Sequence, residues 1–375
     1  MILLHTVLYR VPFYGSEVSV TGPDFKYLRI HGTAEADFAS ALKELYLLSS
    51  CDMLTGLLAA RDEMILCDWA YVRLVSAFAG EVYPDSRFAN ERALLTGYLL
   101  NQSGYMIRFA LSGTRLMVLL ATDGTIYGRP YYTLSGVRFF PVDDVAPGSI
   151  KICDFAYPGE QKVYLGLRKA MNLPYSAGRK RTVELHGHPG TTLTFTPNAN
   201  LIDFYNDFPD CSATYGSDTK WIMYGTAAAS PEFRQQLYPV LRIMLKGMSQ
   251  RDGVALLLAL AQSFAYGSDQ EIWGRDRAFF PDETWAYDLS DCEDHAIHFA
   301  RLVRDLLGLD VALVLYPNHL AAAVHFTDGS ITGDDYIISR GTRWSICDPT
   351  YFYAAPGRSM ADQPLDRAKL LLLPR

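Results

Sequence analysis

The chain has no C-x-x-C pair, no apolar run of membrane length and no surplus of positive charge, and each absence excludes a class of protein. Its six cysteines, Cys51, Cys67, Cys153, Cys211, Cys292 and Cys347, are scattered over 375 residues. That spacing is neither a zinc pattern nor a disulfide framework. Without a stretch of about 20 apolar residues there is no candidate membrane span. A formal net charge of −7 argues against a general nucleic-acid binder. The one basic cluster, Arg179-Lys180-Arg181, reads as a solvated turn. His186-Gly187-His188 lies at a His-Pro-Gly turn with no acidic or cysteine neighbour, short of the three or four ligands a metal needs. The expectation is therefore a chain with no metal and no organic cofactor. Met1 to Leu8 are apolar but too short for a signal peptide. A cytoplasmic protein is expected, or an exported one if a signal peptide has been removed.

With 49% hydrophobic and 20% charged residues, the composition is that of a globular chain with ample core. The most informative stretch is Ser290-Asp291-Cys292-Glu293-Asp294-His295-Ala296. Ser290 with Glu293 three residues later reads as a capping box. Apolar residues then recur at Ala296, Ile297, Ala300, Val303, Leu306 and Leu307, a helical period, and Gly308 is a suitable stop. Cys292 would lie in the first turn, where free N–H groups and the helix dipole favour an anion. Such a position lowers a thiol pKa and makes a nucleophile. Position alone leaves open the alternative of a buried cysteine acting as a small hydrophobe.

Later residues bear on that choice. Val311 to Tyr316 is an apolar run suited to a strand buried on both faces, and His319 opens the next strand after a Pro317-Asn318 turn. Two further strands follow, Tyr336 to Arg340 and Arg343 to Asp348, around a Gly341-Thr342 turn. The order is nucleophile on a helix, histidine on one strand, aspartate at the end of a neighbouring strand. Thiol acyl transfer needs this set: the imidazole ionises the thiol and protonates the leaving amine, and the carboxylate fixes the imidazole.

The segment from about Val254 to Tyr351 resembles the transglutaminase-like, papain-type cysteine peptidase superfamily. The matching pieces are SDCEDHAIHFARLVRDLLGL, YPNHLAAAV and RWSICDPTY. In that family a cysteine heads a helix, a histidine heads the following strand, and an aspartate precedes Pro-Thr. The resemblance implies a triad of Cys292, His319 and Asp348. The alanines after His319, where the family often has an aromatic residue, and the long connection to Asp348 depart from the family pattern.

His325 shares a strand face with His319 but lies about 20 Å further along, so both cannot touch one cysteine. It reads as a solvated surface residue. His295 and His298 read as helix-surface histidines. Cys347 should point away from the site, since adjacent strand residues face opposite ways. Gln262 is a candidate oxyanion donor, or an ordinary polar helix residue. The aromatic-rich segment before the cysteine, GRDRAFFPDETWAYD, offers Trp273, Phe279, Phe280 and Trp285 as walls of a substrate cleft. The alternative is that they pin the loop to the core.

An internal repeat is the second signal. Subtracting 204 takes Gly308 to Gly104, His319 to Arg115, Asp348 to Asp144 and Cys292 to Phe88. The later copy carries about 21 extra residues just before its cysteine. Between the copies, short alternating strands suggest a small β domain. The expected fold class is α+β. Residues 1–147 would form a degenerate transglutaminase-like domain and 148–225 a central β domain. Residues 226–375 would form the catalytic domain, with the nucleophile helix on an antiparallel sheet. The expected activity is that of a cysteine peptidase or amidase acting on a peptide or protein substrate. The same residues would serve an amine-acceptor transglutaminase. A reading from another class is a non-catalytic binding or scaffold protein on a protease-like fold.

Overall fold

Alternating apolar residues and tight two-residue turns build two five-stranded antiparallel sheets in the computed structural model of this chain. It describes residues 5–25, 28–48, 51–143, 149–153, 156–216, 218–330 and 335–374. The class is α+β. The chain divides into two units: Met1–Leu165 with Asn172–Pro174 and Ala213–Tyr215, and Gly166–Met171 with Tyr175–Ser212 and Gly216–Arg375. Among the described residues no helix is long and apolar enough to cross a membrane.

In the first unit, helices α1 (Asp68–Val82) and α2 (Ala89–Gln102) precede a sheet of β1 (Ile107–Ser112), β2 (Arg115–Ala121), β3 (Tyr132–Leu134), β4 (Val137–Pro141) and β5 (Lys151–Cys153). Its strand order is β3-β4-β2-β1-β5. Ala110, Met117, Leu119, Ala121 and Phe139 form one buried cluster on it.

The second unit opens with a hairpin of β6 (Arg181–Glu184) and β7 (Thr192–Phe195), then helices α3 (Pro231–Leu245) and α4 (Gln250–Ala261). Ser230 caps α3 by accepting from the Phe233 N–H at 3.0 Å, with Pro231 in the first turn, where its missing N–H costs nothing. Short strands β8 (Ala265–Tyr266) and β9 (Leu289–Ser290) pair in parallel. Helix α5 (Cys292–Leu307) follows, then β10 (Asp310–Tyr316), β11 (His319–His325), β12 (Tyr336–Ser339), β13 (Thr342–Cys347) and β14 (Lys369–Leu372). Here the order is β12-β13-β11-β10-β14.

Helix α5 packs Ala296, Phe299, Ala300, Leu302 and Val303 into one cluster with Val311, Leu313, Leu320, Ala322, Val324 and Cys347 of the sheet. The other sheet face buries Ala312, Val314, Tyr316, Ala321, Ala323, Trp344 and Ile346. The apolar run at 311–316 is thus covered on both sides, as its composition implies.

The two sheets share more than strand order. Ser112 pairs with Arg115 in the first and Tyr316 with His319 in the second, so the first hairpins match residue for residue at a separation of 204. Each sheet also has a two-residue turn with both residues at positive φ: Ser135 and Gly136 at 49° and 80°, Arg340 and Gly341 at 51° and 78°. Such turns match the twist of a hairpin.

The expectation of a separate central β domain is not met. Residues 148–165 belong to the first unit and most of 175–225 to the second. Hairpin β6–β7 offers only one apolar row, too little for a core of its own. Val183, Leu193 and Phe195 are therefore buried in the second unit's core, with Phe195 against Phe233 and Trp285. Nor is Arg179-Lys180-Arg181 simply a solvated turn. The Arg181 guanidinium donates to the carbonyls of Thr284, Tyr287 and Asp288, tying the hairpin to the segment before the cysteine.

Candidate functional site

The sequence places Cys292 at the head of α5, and it is the first helical residue there. The cap lies one position later than the Ser290–Glu293 pair suggests. Asp291 is the N-cap, its N–H donating to Asp294 Oδ2 at 3.1 Å. Ser290 instead ends β9 and is buried. The physical reason is that β9 pairs with β8 through Ser290, so the chain leaves extended geometry only at Asp291. Gly308 ends the helix at φ 67°, a left-handed conformation that costs glycine little.

His319 heads β11 and Asp348 follows the last residue of β13. Their side chains meet, His319 Nε2 lying 2.8 Å from Asp348 Oδ2. Asp348 is almost fully buried. Its second oxygen accepts from the Thr350 N–H and hydroxyl, both at 3.0 Å, and from the Tyr351 N–H at 3.2 Å. Pro349 ends the strand, and the carboxylate organises the turn that follows. On its other side the His319 ring stacks against Tyr316, with centroids 5.9 Å apart. Among the described residues no hydrogen bond engages Nδ1.

The third member is differently engaged. Among the described residues no hydrogen bond joins the Cys292 thiol to the His319 ring; the thiol donates to Glu293 Oε2 at 3.1 Å. Nor does the helix start lower its pKa, as position alone suggests. Burial pushes the thiol well up, the Glu293 and Asp291 carboxylates add to the rise, and only the Leu320 N–H works the other way. Leu320 follows His319, so the sulfur meets β11 at its mouth. These surroundings favour the neutral thiol. Two carboxylates and burial outweigh a dipole effect that amounts to about 0.3–1 kcal/mol at a typical exposed helix end.

Gln262 is engaged with the loop after Asp348. At the end of α4, its amide nitrogen donates to the carbonyls of Tyr351 at 2.9 Å, Ala354 at 3.2 Å and Asp348 at 3.4 Å. It holds the loop behind the aspartate, and its donors are spent there. His295 and His298 are not surface residues; both are fully buried. Burial pushes His295 down to about 4 and His298 down to about 3. His298 Nδ1 lies 3.1 Å from the Pro281 carbonyl. His325 stays with its own strand end, Nδ1 3.2 Å from the Arg343 carbonyl. Cys347 is buried in the core on the α5 side of the sheet.

The aromatic segment before the cysteine is pinned inward. Trp285 packs against Phe264 at 5.0 Å, and Phe280 against Tyr205 at 4.4 Å and Tyr224 at 4.7 Å. Both rings are buried, as is Phe279. They build core in place of a cleft wall, because a fully buried aromatic gains about 1.5–3 kcal/mol over an exposed one. Trp273 is half-buried, edge-on to Tyr287 at 5.0 Å.

In the first unit, α2 begins at Ala89, so Ala89 is the first helical residue and Phe88 stands at the N-cap, where Asp291 stands in the second. Arg115 opens β2 in the register that His319 holds in β11. Asp144 lies outside the described residues. Neither Ala89 nor Phe88 can attack a carbonyl, and a guanidinium cannot act as a base at neutral pH.

Three site carboxylates were not anticipated. Asp291 and Glu293 flank the cysteine, and Asp269 joins them from the preceding segment. The first two are legible as the acids of SDCED; nothing in the sequence places Asp269 beside them. No protein-family model, curated protein or solved structure matches the chain.

Proposed function

We propose that the second unit is a thiol-dependent acyl-transfer enzyme, a cysteine peptidase or amidase acting on a peptide or amide bond. The observation that supports it best is the buried His319–Asp348 pair at the strand mouth that the Cys292 sulfur approaches through the Leu320 N–H. Nε2–H of His319 donates to Asp348, which leaves Nδ1 as the base. Substrate entry would draw the thiol from Glu293 to that nitrogen. The thiol proton passes to Nδ1, the sulfur adds to the carbonyl carbon, and the imidazolium returns the proton to the departing amine. Water then cleaves the thioester to give an acid and the free thiol. An amine in place of water gives acyl transfer by the same residues.

A second reading, a non-catalytic binding or scaffold domain, is favoured by one observation: the Cys292 thiol donates to Glu293. Turnover of a panel of peptides and amides separates the two. The enzyme reading expects hydrolysis that Cys292→Ala abolishes without unfolding the chain, and that Asp348→Asn reduces less severely. Turnover retained in Cys292→Ala would put the chemistry elsewhere.

A further inference from the structure

Asp269, Asp291 and Glu293 belong to overlapping acidic groups where the segment before the cysteine meets the start of α5, Asp269 being close to Asp291 in one and to Glu293 in another. All three residues are more than nine-tenths buried. Among the described residues no lysine or arginine forms an ion pair with any of them; the nearby Asp276 is paired with Lys220 at 3.0 Å. Asp269, Asp291 and Asp294 each present an oxygen within 4.8 Å of the others, and so do Asp269, Asp276 and Glu293. A cation with bonds of about 2.4 Å spans oxygens up to about 4.8 Å apart, the reach of calcium.

A cluster of acids would not by itself be a site. Here two of its oxygens, Asp269 Oδ1 and Asp291 Oδ1, are sealed from solvent and accept no hydrogen bond. Their neighbours are taken: Asp269 Oδ2 accepts from the Arg277 N–H, and Asp294 uses both oxygens on the N–H groups of Phe279 and Asp291. Buried carboxylate oxygens without donors lack the partners that buried polar groups normally have. The donors are hard oxygens, with the Cys292 sulfur the one soft atom in reach, which suits a calcium-type ion over zinc.

We propose that Asp269, Asp291 and Glu293 form a binding site for a divalent cation of the calcium type, with Asp276 on its open side. The ion would staple the segment before the cysteine to the head of α5. Asp269 immediately precedes the stretch that the first unit's copy lacks. It stands whether or not Cys292 attacks a carbonyl.

The test is calorimetric titration of the full, chelator-stripped chain with calcium, magnesium and zinc chlorides, beside melting curves. One calcium per chain and a raised Tm are expected, with magnesium weaker. Asp269→Asn with Glu293→Gln should weaken calcium binding by about tenfold or more, and circular dichroism would check that the fold is kept. Cys292→Ala should bind calcium as the parent does, which separates this site from the thiol chemistry. Absence of calcium heat and of any Tm shift at millimolar concentration in the unsubstituted chain would overturn the proposal. So would calcium binding undiminished in the folded double variant, or zinc-only binding lost in Cys292→Ser.

Discussion

Cys292 sits where a helix dipole favours a thiolate, yet its neighbours and its burial favour the thiol. Removing one of those charges should show it. Glu293→Gln takes away a carboxylate that raises the thiol pKa, so alkylation of Cys292 at pH 7, measured with chelator present, should become faster than in the parent. A rate unchanged or lower would mean that burial alone sets the pKa. The two buried histidines carry a separate signature. Folded pKa values pushed down to about 4 for His295 and about 3 for His298 lie below the ordinary value near 6.5. The unfolded chain then binds more protons between those limits, so their stabilisation is complete above about pH 6.5 and is lost as pH falls. Buried Asp282, pushed up to about 7, works in the opposite sense: its share is present at low pH and is lost as pH rises from about 4 through 7. A difference measurement separates them. Urea unfolding between pH 4.5 and 6 should show the parent losing about 1.4 kcal/mol per pH unit more than His298→Gln, the worth of one proton. Equal slopes would mean that His298 is solvated. The positions of Cys292, His319 and Asp348 were legible because each stands at the end of an element with a clear pattern. The burial of His295 and His298 was not, because α5 is enclosed on nearly every side, and polarity in the sequence misleads when a helix has no open face.

At the scale of elements, boundaries were legible wherever a turn or cap residue is unambiguous. Gly308 stops α5, Pro317-Asn318 separates β10 from β11, and Pro349 ends β13. The cap of α5 moved to Asp291 because β9 pairing holds Ser290 extended. Pairing of that kind is non-local and leaves no mark in the spacing. Gln262 shows the same limit. A polar residue at a helix end has several uses, and only the folded chain shows its amide clamping three carbonyls of residues 348–354. Gln262→Leu leaves the buried Asp348 carbonyl and the part-buried carbonyls of Tyr351 and Ala354 short of a donor, so a loss of about 1 kcal/mol is expected in denaturant unfolding. If the loop also positions Asp348, turnover should fall while Cys292→Ala remains the more severe change. The aromatic segment offers a cleaner stability test. Trp285→Ala should cost about 3–5 kcal/mol, since the ring is fully enclosed by Phe195 and Phe264. A loss under 1 kcal/mol would return Trp285 to a cleft wall.

Across the whole molecule, the internal repeat was the most useful sequence signal. One helix followed by five antiparallel strands recurs, with the same strand order and with matched first hairpins. The central β domain was the least reliable reading, because alternation identifies strands but not the core that receives them. Two units imply that the second carries its own fold. A fragment beginning at Gly166 should retain a cooperative melting transition and the labelling behaviour of Cys292; a fragment without a transition would mean that the units fold only together. The central claim, that Cys292 and His319 form a reactive pair, is met most directly by site-resolved alkylation. The chain is exposed to a limiting thiol reagent at neutral pH, and each cysteine is followed by peptide mass spectrometry over time. The account predicts that Cys292 is labelled faster than the more exposed Cys153 once substrate-like amide is present, and that His319→Ala removes the advantage. Slow, uniform labelling in both the parent and His319→Ala would contradict it.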